Sequence, residues 1–563
     1  MNLFDQFEQN TNNHPDKPAY IYFDKGLWKT LTYKDVLDKT QRFLRRLEAE
    51  RYTPGMTAAL LTPPSADFFP FAFALLKLGI VPILVEPALG IKKIREIYAE
   101  SKPDIFVGNT LTHTLRLIFG WGKESVKYNL SIAGMESGKP ALSNAKVWKP
   151  NLQSPIPNYH LPLTTPAAII YTSGSTGLPK GAIYTQENLA AQLELLKNTF
   201  NIAPDEVDLP AFPLYALIDL LLGVTSVIPD ISFPVPGKTD AAKVIGAIQK
   251  FNVTNMFASP VVLDLLSSFA ENNNSSSHPI VLSSLKRIIT AGAPATIDLQ
   301  KRFRHLLADH TSLYGIYGAT ETLPIAKVES REVFALEEKT KNGAGIFLGK
   351  PIEGVTVRII PITDEPIEEW QDSLTVKPNV VGEITVQSGA TTREYLHRPT
   401  SNRISKIFRH REEGALPDEA ISEIDSGYRP RNDEKVDIIH RMGDVGYFDE
   451  EGRLWYCGRK SHRVQTKDDV LFTEQIENIF NAHPQVYRTA LVGVDREPVL
   501  WVELEKGVKT DKEKIIADLK TLAAAHPQAS RIRIFLFLKK FPTDVRHNSK
   551  IIREKLTELA TAY

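Results

Sequence analysis

Between Met56 and Gly318, short apolar runs alternate with longer helical stretches. MTAALLT reads as a strand, DFFPFAFALLKLG as a buried helix and IVPILVEP as the next strand, and the alternation returns at AAIIYT, MFASPVVL, LKRIITAG and TSLYGIYG. A strand buries its faces only against other layers, so strands separated by helical stretches predict α/β layers with largely parallel sheets. From about Val355 the pattern changes to shorter strands with turns between them, TVRIIPI and GEITVQS, which predicts a β-rich appendix to the main body. Residues 397–440 are polar, charged and poorly periodic, and their middle is expected to be an exposed, mobile excursion. After Gly458 the register restarts with TEQIENIFNAH, RTALVGV, VLWVELE, KEKIIADLKTLAAAH and RIFLFL, the outline of a small α+β domain. The expected division is therefore 1–458 and 459–563, with NNNSSS at 272–277 as a plain loop.

Composition narrows the function classes. Lys+Arg 67 equals Asp+Glu 67 in the 563 residues, so no global charge points to nucleic acid or an anionic membrane as partner. The one cysteine, Cys457, can form neither an internal disulfide nor a cysteine metal cluster, which fits a reducing, cytoplasmic setting. The first twenty residues lack a basic start followed by an apolar run, so no signal peptide is expected. The apolar stretch 68–87 carries Lys77, prolines and a glycine, and 209–227 carries Asp219 and Pro213. A spanning helix needs about 20 apolar residues with few charges, so both read as buried core elements.

The strongest chemical signal is Tyr171–Gly181, YTSGSTGLPKG, directly after the apolar run AAII. Small and hydroxylated residues let a backbone wrap a phosphate closely, and Lys180 adds positive charge. It is not a Walker loop, because Pro179 stands before the lysine where that motif needs glycine. The string resembles the phosphate loop of the adenylate-forming superfamily: acyl-CoA synthetases, luciferases and the adenylation domains of peptide synthetases. The downstream motifs of that superfamily follow in order, and the similarity covers nearly the whole chain. AGAP at 291–294 stands where an adenine segment is expected, and YGATE at 317–321 matches the aromatic-Gly-x-Thr-Glu string. Asp444 in RMGDVGY, Arg459 in YCGRK and Lys550 in HNSKIIREKL match the remaining motifs.

The resemblance implies a large domain of two α/β subdomains plus a β-rich one, and a small mobile C-terminal domain. It implies ATP and Mg²⁺ as cofactors. Thr172, Ser173, Gly174, Ser175, Thr176, Gly177, Gly292, Ala293, Pro294, Tyr317, Gly318, Thr320, Asp444 and Arg459 would hold the nucleotide. Thr176 and Glu321 would hold Mg²⁺, a hard cation that takes oxygen ligands while bridging phosphates. Lys180, Glu321 and Lys550 would carry the chemistry, in which a carboxylate attacks the α-phosphorus and pyrophosphate leaves. Taken from the residues alone, Lys550 reads as an exposed lysine opening a basic helix. A non-catalytic nucleotide binder on the same scaffold should have lost some of Lys180, Glu321, Asp444 and Lys550, and all four are present.

Three departures from ordinary CoA ligases bear on the second half-reaction. Ala216 stands in PLYA where many such ligases carry an aromatic-His pair beside the acyl pocket. Ser461 stands at the hinge in place of Asp or Lys. The stretch RVQTKDDVLFTEQIE lacks the glycines that pack along a pantetheine tunnel, where close backbone approach favours glycine. Ser549 also replaces the glycine usual before the last lysine. The strings FPLYALIDLLLG, HRMGDVGYFDEEGRLWYCGRKSHRV, HPQVYRTALVGV and FPTDVRHNSKIIREKL look like the olefin β-lactone synthetases of long-chain hydrocarbon biosynthesis. That resemblance implies a 2-alkyl-3-hydroxy fatty acid as the small-molecule substrate, closed to a β-lactone by its own hydroxyl. It also implies a pathway with a thiolase, a reductase and a β-lactone decarboxylase, and allows assembly with those enzymes. The residues name no base for the hydroxyl; His462 and His547 merely flank the joining motifs. The alternative is a fatty acyl-AMP or long-chain acyl-CoA ligase, which shares every adenylation residue.

Overall fold

The computed structural model describes residues 2–562 other than 64, 133–158, 160, 173–178, 213, 230–235, 274–279, 411–435, 508–510 and 544–550. The alternating region forms two sheets. The smaller has six strands in the order Tyr128–Leu130, Ile105–Gly108, Thr57–Leu61, Val81–Leu84, Pro166–Tyr171, Gly181–Thr185. Its first five strands run parallel and only the last pair, Pro166–Tyr171 with Gly181–Thr185, is antiparallel. The helix Phe68–Leu78 is apolar on nearly all sides and sits inside a core with Phe7, Phe43, Leu44 and Leu220, ending where Gly79 turns to φ +74°. MFASPVVL divides: the strand stops at Ala258 and Pro260 opens the helix Pro260–Asn273, as its fixed φ allows at a first turn. That helix also takes the first two residues of the expected 272–277 loop; the others lie outside the described residues.

The larger sheet has fourteen strands among the described residues. At its centre Val207–Pro210, Asn255–Ala258, Arg287–Thr290 and Ser312–Ala319 pair in parallel. The chain then reverses at Ala319 and Thr322 into the antiparallel strand Thr322–Glu329. From there the sheet continues through Ile346–Pro351, Leu454–Arg459, Val436–Phe448, Gly382–Gln387 and Thr356–Ile360, the expected β-rich part.

The flanks of 397–440 are regular structure. Pro399–Ser405 is a helix and Lys406–His410 a strand pairing Val436–Phe448, with Lys406 and His440 buried. Ile407, Ile438 and Ile439 are buried beside Lys406 and His440, so polar and apolar side chains are buried in adjacent positions and the strands show no clean period-2 alternation. The middle, 411–435, lies outside the described residues.

After the Leu454–Arg459 strand, the helix Thr473–Asn481, the strands Val486–Val494, Glu497–Leu504 and Ile534–Phe537, and the helix Lys512–Ala525 share their own core of Ile476, Phe480, Leu491, Leu500, Ile515 and Leu519. They meet the larger part at Asn342, whose side chain and carbonyl contact His526 and Gln528 at 3.1 Å each. The architecture is α/β with a large N-terminal and a smaller C-terminal α+β domain.

Candidate active site

The parallel strands of the larger sheet end beside one another, and the crevice outside their carboxyl ends is where open α/β sheets bind ligands. Gly292, Ala293 and Pro294 follow the strand Arg287–Thr290 in an open loop, with Gly292 at φ +93°. The neighbouring strand, Ser312–Ala319, delivers Tyr317 and Gly318. Thr320 and Glu321 are the two residues of the turn between Ala319 and Thr322. A methyl group on Gly318 would lie 2.4 Å from Leu323 Cδ1 and 3.0 Å from the Thr322 carbonyl oxygen, so a side chain there would displace the Leu323 side chain and crowd the turn.

Asp444 and Arg459 lie opposite each other on adjacent antiparallel strands. Tyr317 Oη donates to Asp444 Oδ2 at 2.7 Å, and Arg459 Nη1 lies 3.0 Å from Oδ1. A carboxylate only 4% exposed would be costly without such partners. Burial first, and the Asp444 charge second, push the Tyr317 phenol well above its ordinary range, so it remains a donor. The Asp444 charge raises Arg459 in turn. This leaves a carboxylate held in a set orientation, a group suited to accept hydrogen bonds from a diol.

The base of the YTSGSTGLPKG segment is a pair of rungs. Thr172 N–H donates to the Lys180 carbonyl at 2.9 Å, and Lys180 N–H donates to Thr172 Oγ1 at 3.4 Å. Lys180 Nζ stands 5.1 Å from the centre of the Tyr395 ring. Burial lowers its pKa, while Glu321 opposes that shift. Tyr395 Oη donates to Glu321 Oε1 at 2.5 Å, so one tyrosine touches both the lysine and the acid. Tyr184 Oη donates to the Thr320 carbonyl from the strand that follows Lys180.

The structure thus joins Tyr317, Asp444 and Arg459 directly, and links Lys180 to Glu321 through Tyr395. Ser173, Gly174, Ser175, Thr176, Gly177 and Lys550 lie outside the described residues. The chain beyond Lys550 is anchored by a bridge between Thr543 and Ile551 and by Arg553. Ala216 is fully buried in the N-terminal core, and Ser461 lies in a short 3₁₀ turn, Lys460–His462. The glycine-free stretch forms the hairpin Val464–Gln465/Val470–Leu471 before the Thr473–Asn481 helix. Burial first, then the charges of Arg553 and Arg459, push the His462 pKa down to about 3. Sequence reasoning missed Tyr395 and Lys406. Both lie in polar, aperiodic surroundings, and neither matched a motif.

Known proteins resemble the chain over most of its length. The family model described as AMP-binding enzyme matches residues 7–396. An olefin β-lactone synthetase of Xanthomonas campestris pv. campestris is 37% identical over 532 residues, 94% of this chain and 90% of that protein. Its counterpart in Stenotrophomonas maltophilia is 36% identical over 537 residues, 95% and 92% of the two chains. Among solved structures, an o-succinylbenzoate CoA synthetase of Bacillus subtilis in complex with ATP and magnesium ion superposes with a TM-score of 0.70, 19% identity and 98% coverage of each chain, a likeness of fold. The chain belongs to the AMP-binding enzyme family: it is an adenylate-forming ligase similar to the olefin β-lactone synthetases over almost its whole length.

Proposed function

We propose that this enzyme activates a 2-alkyl-3-hydroxy fatty acid with ATP and closes it to a β-lactone, releasing AMP and pyrophosphate. The observation that carries the reading is the similarity to two olefin β-lactone synthetases across more than nine-tenths of the chain. Asp444, which Tyr317 and Arg459 hold in place, would accept from the ribose hydroxyls, and Tyr317 with Gly292–Pro294 would hold adenine. Thr172 to Gly177 would hold the phosphates by the motif they match, with Lys180 supplying positive charge.

The donor set fits Mg²⁺. Glu321 offers a carboxylate with one oxygen braced by Tyr395, and among the described residues no three ligating side chains gather into a cage. Mg²⁺ usually takes one or two carboxylates together with substrate phosphates and water, and Glu321 with Thr176 would supply the protein's share. When bound, it supplies charge neutralisation between phosphates. Lys550 arrives from the small domain, 459–563, and stabilises charge on the acyl carboxylate and the α-phosphate. The protein's contribution is positioning and electrostatics rather than covalent catalysis.

In the second step the substrate's β-hydroxyl oxygen bonds to the acyl carbon, the bond to AMP breaks, and the hydroxyl proton leaves. An internal nucleophile held beside the anhydride can replace CoA through effective molarity. Ala216, Ser461 and the glycine-free 463–477 stretch support this, because they lack features a pantetheine tunnel would use. The site lies in a cytoplasmic enzyme acting alongside the other enzymes of olefin formation. Product analysis by NMR, with and without CoA, tests the reading. A 3-hydroxy acid should yield lactone without CoA; stoichiometric acyl-CoA and no lactone would leave a plain ligase.

A further inference from the structure

Behind Glu321 lies a buried group of side chains that the adenylation motifs do not account for. The connection 392–395 wraps the acid at two points. Thr392 N–H donates to the Glu321 backbone carbonyl at 2.8 Å, and Tyr395 Oη donates to its carboxylate at 2.5 Å. Lys406, 1% exposed, donates from Nζ to the Thr392 carbonyl at 2.5 Å and stands 5.4 Å from the centre of the Tyr395 ring. Lys180 Nζ is 5.1 Å from the same ring, so two lysine side chains flank one aromatic ring. We propose that Tyr395 is a positioning residue for the metal-binding carboxylate of Glu321, and that Lys406 locks the segment that carries it.

Tyr395 is built to hold its place. Asn402 accepts from its backbone N–H at 2.7 Å and donates to its carbonyl at 3.2 Å, clamping both polar groups of the peptide. Its backbone bridges Ala182, and the Leu396 N–H donates to the Gly181 carbonyl at 2.8 Å, which ties the segment to the strand after Lys180. The side chain is 4% exposed. A glutamate on a two-residue turn has three free side-chain torsions. With one oxygen fixed by Tyr395, its other oxygen keeps a set direction for a cation, and less rotamer entropy is lost on metal binding. The lysine fits the same device: its buried amine donates to the carbonyl of Thr392, the residue whose own N–H braces Glu321.

This inference rests on the adenylation reading, and the test separates the two. Mn²⁺ binding to the enzyme saturated with a non-hydrolysable ATP analogue is measured by electron paramagnetic resonance for wild type, Tyr395→Phe, Glu321→Gln and the double variant. Returning the rotamer cost of Glu321 to metal binding should weaken Mn²⁺ by about two- to tenfold in Tyr395→Phe. Metal-free nucleotide affinity and the melting temperature should stay near wild type. In the Glu321→Gln background Tyr395→Phe should cost nothing more, because the tyrosine acts through the carboxylate. Unchanged Mn²⁺ affinity in Tyr395→Phe, an additive loss in the double variant, or a loss that only tracks melting temperature would each overturn the proposal. Lys406→Met, which keeps length without the ammonium, should also weaken Mn²⁺; no change there would remove Lys406 from the device. Should Tyr395→Phe not fold, Asn402→Ala, which unclamps the backbone, is held to the same criteria. If wild type itself shows no Mg²⁺-dependent exchange of pyrophosphate into ATP with a carboxylic acid, the adenylation reading fails instead.

Discussion

Replacing Glu477 with Gln should loosen the C-terminal helix Arg553–Thr561 by about 3 kcal/mol, near the lower end of the ~3–5 kcal/mol seen when one partner of a buried ion pair is removed. Glu477 and Arg553 are 4% and 8% exposed. Their oxygens and guanidinium nitrogens meet as a fork at 2.6 and 2.9 Å, and Glu477 Oε1 also accepts from Leu491 N–H at 2.7 Å. Glutamine keeps one acceptor but turns an amide N–H₂ toward the guanidinium, leaving a buried cation without its counter-charge. The lower end applies because Glu474 stands one turn earlier on the same helix. Burial first, and then Glu477, push its carboxyl up to about 7. With Glu477 neutral, Glu474 ionises more readily beside Arg553 and offsets part of the loss. About 3 kcal/mol multiplies the local opening equilibrium roughly a hundredfold. Native-state hydrogen exchange should show that acceleration at Leu491 and along the Arg553–Thr561 helix, while the Phe68–Leu78 helix exchanges as before. Because Lys550 precedes Arg553 by three residues, pyrophosphate release should fall in the same variant. The double variant Glu477→Met/Arg553→Met should recover part of the protection, since an apolar pair needs no desolvation but leaves the Leu491 N–H and carbonyl without these partners. Unchanged exchange in Glu477→Gln, or a double variant that loses the sum of both single costs, would refute the reasoning.

Three further outcomes are expected. Asp208 and Asp219 are a buried carboxyl pair, with Ser226 Oγ donating to Asp219 Oδ2; burial first pushes Asp208 up to about 7 and Asp219 well above the carboxylate range. The folded chain therefore holds protons that the unfolded chain loses near pH 4, so stability is fullest at or below about pH 4 and falls as pH rises through 7; the urea midpoint should drop from pH 5 to 8 more steeply in wild type than in Asp219→Asn, and equal slopes would contradict this. Glu321→Gln should raise the Mg²⁺ concentration needed for half-maximal pyrophosphate release while leaving the melting temperature near wild type, and an unchanged Mg²⁺ requirement would remove Glu321 from the metal site. Lys550→Ala should slow pyrophosphate release by roughly a hundred- to a thousandfold with ATP affinity retained, as for loss of one preorganised electrostatic contact; wild-type release would end its assigned role.

The chemistry was legible where it depends on one short stretch of backbone. The Gly318–Glu321 turn is tight at the Thr322 carbonyl, and the Tyr171–Gly181 segment is one contiguous run, so both sites appear as strings. The α/β layering was legible for the same reason, because strand and helix periods are local. What the string could not reveal is which distant residues meet. Asp444 is an ordinary acid until two sheet strands set it against Arg459 and Tyr317 reaches it from 127 residues away. Lys406 sits in a run that reads as polar excursion, and pairing with the Val436–Phe448 strand buries it. Tyr395 has no role by spacing; it gains one when its backbone pairs beside Ala182 and its hydroxyl meets Glu321. The sequence by itself therefore determined the layered α/β plan and the motif residues that follow from local backbone shape. Only the tertiary structure decided which charges lose their water and which partners face them, because desolvation and Coulomb energy depend on distance in space rather than along the chain.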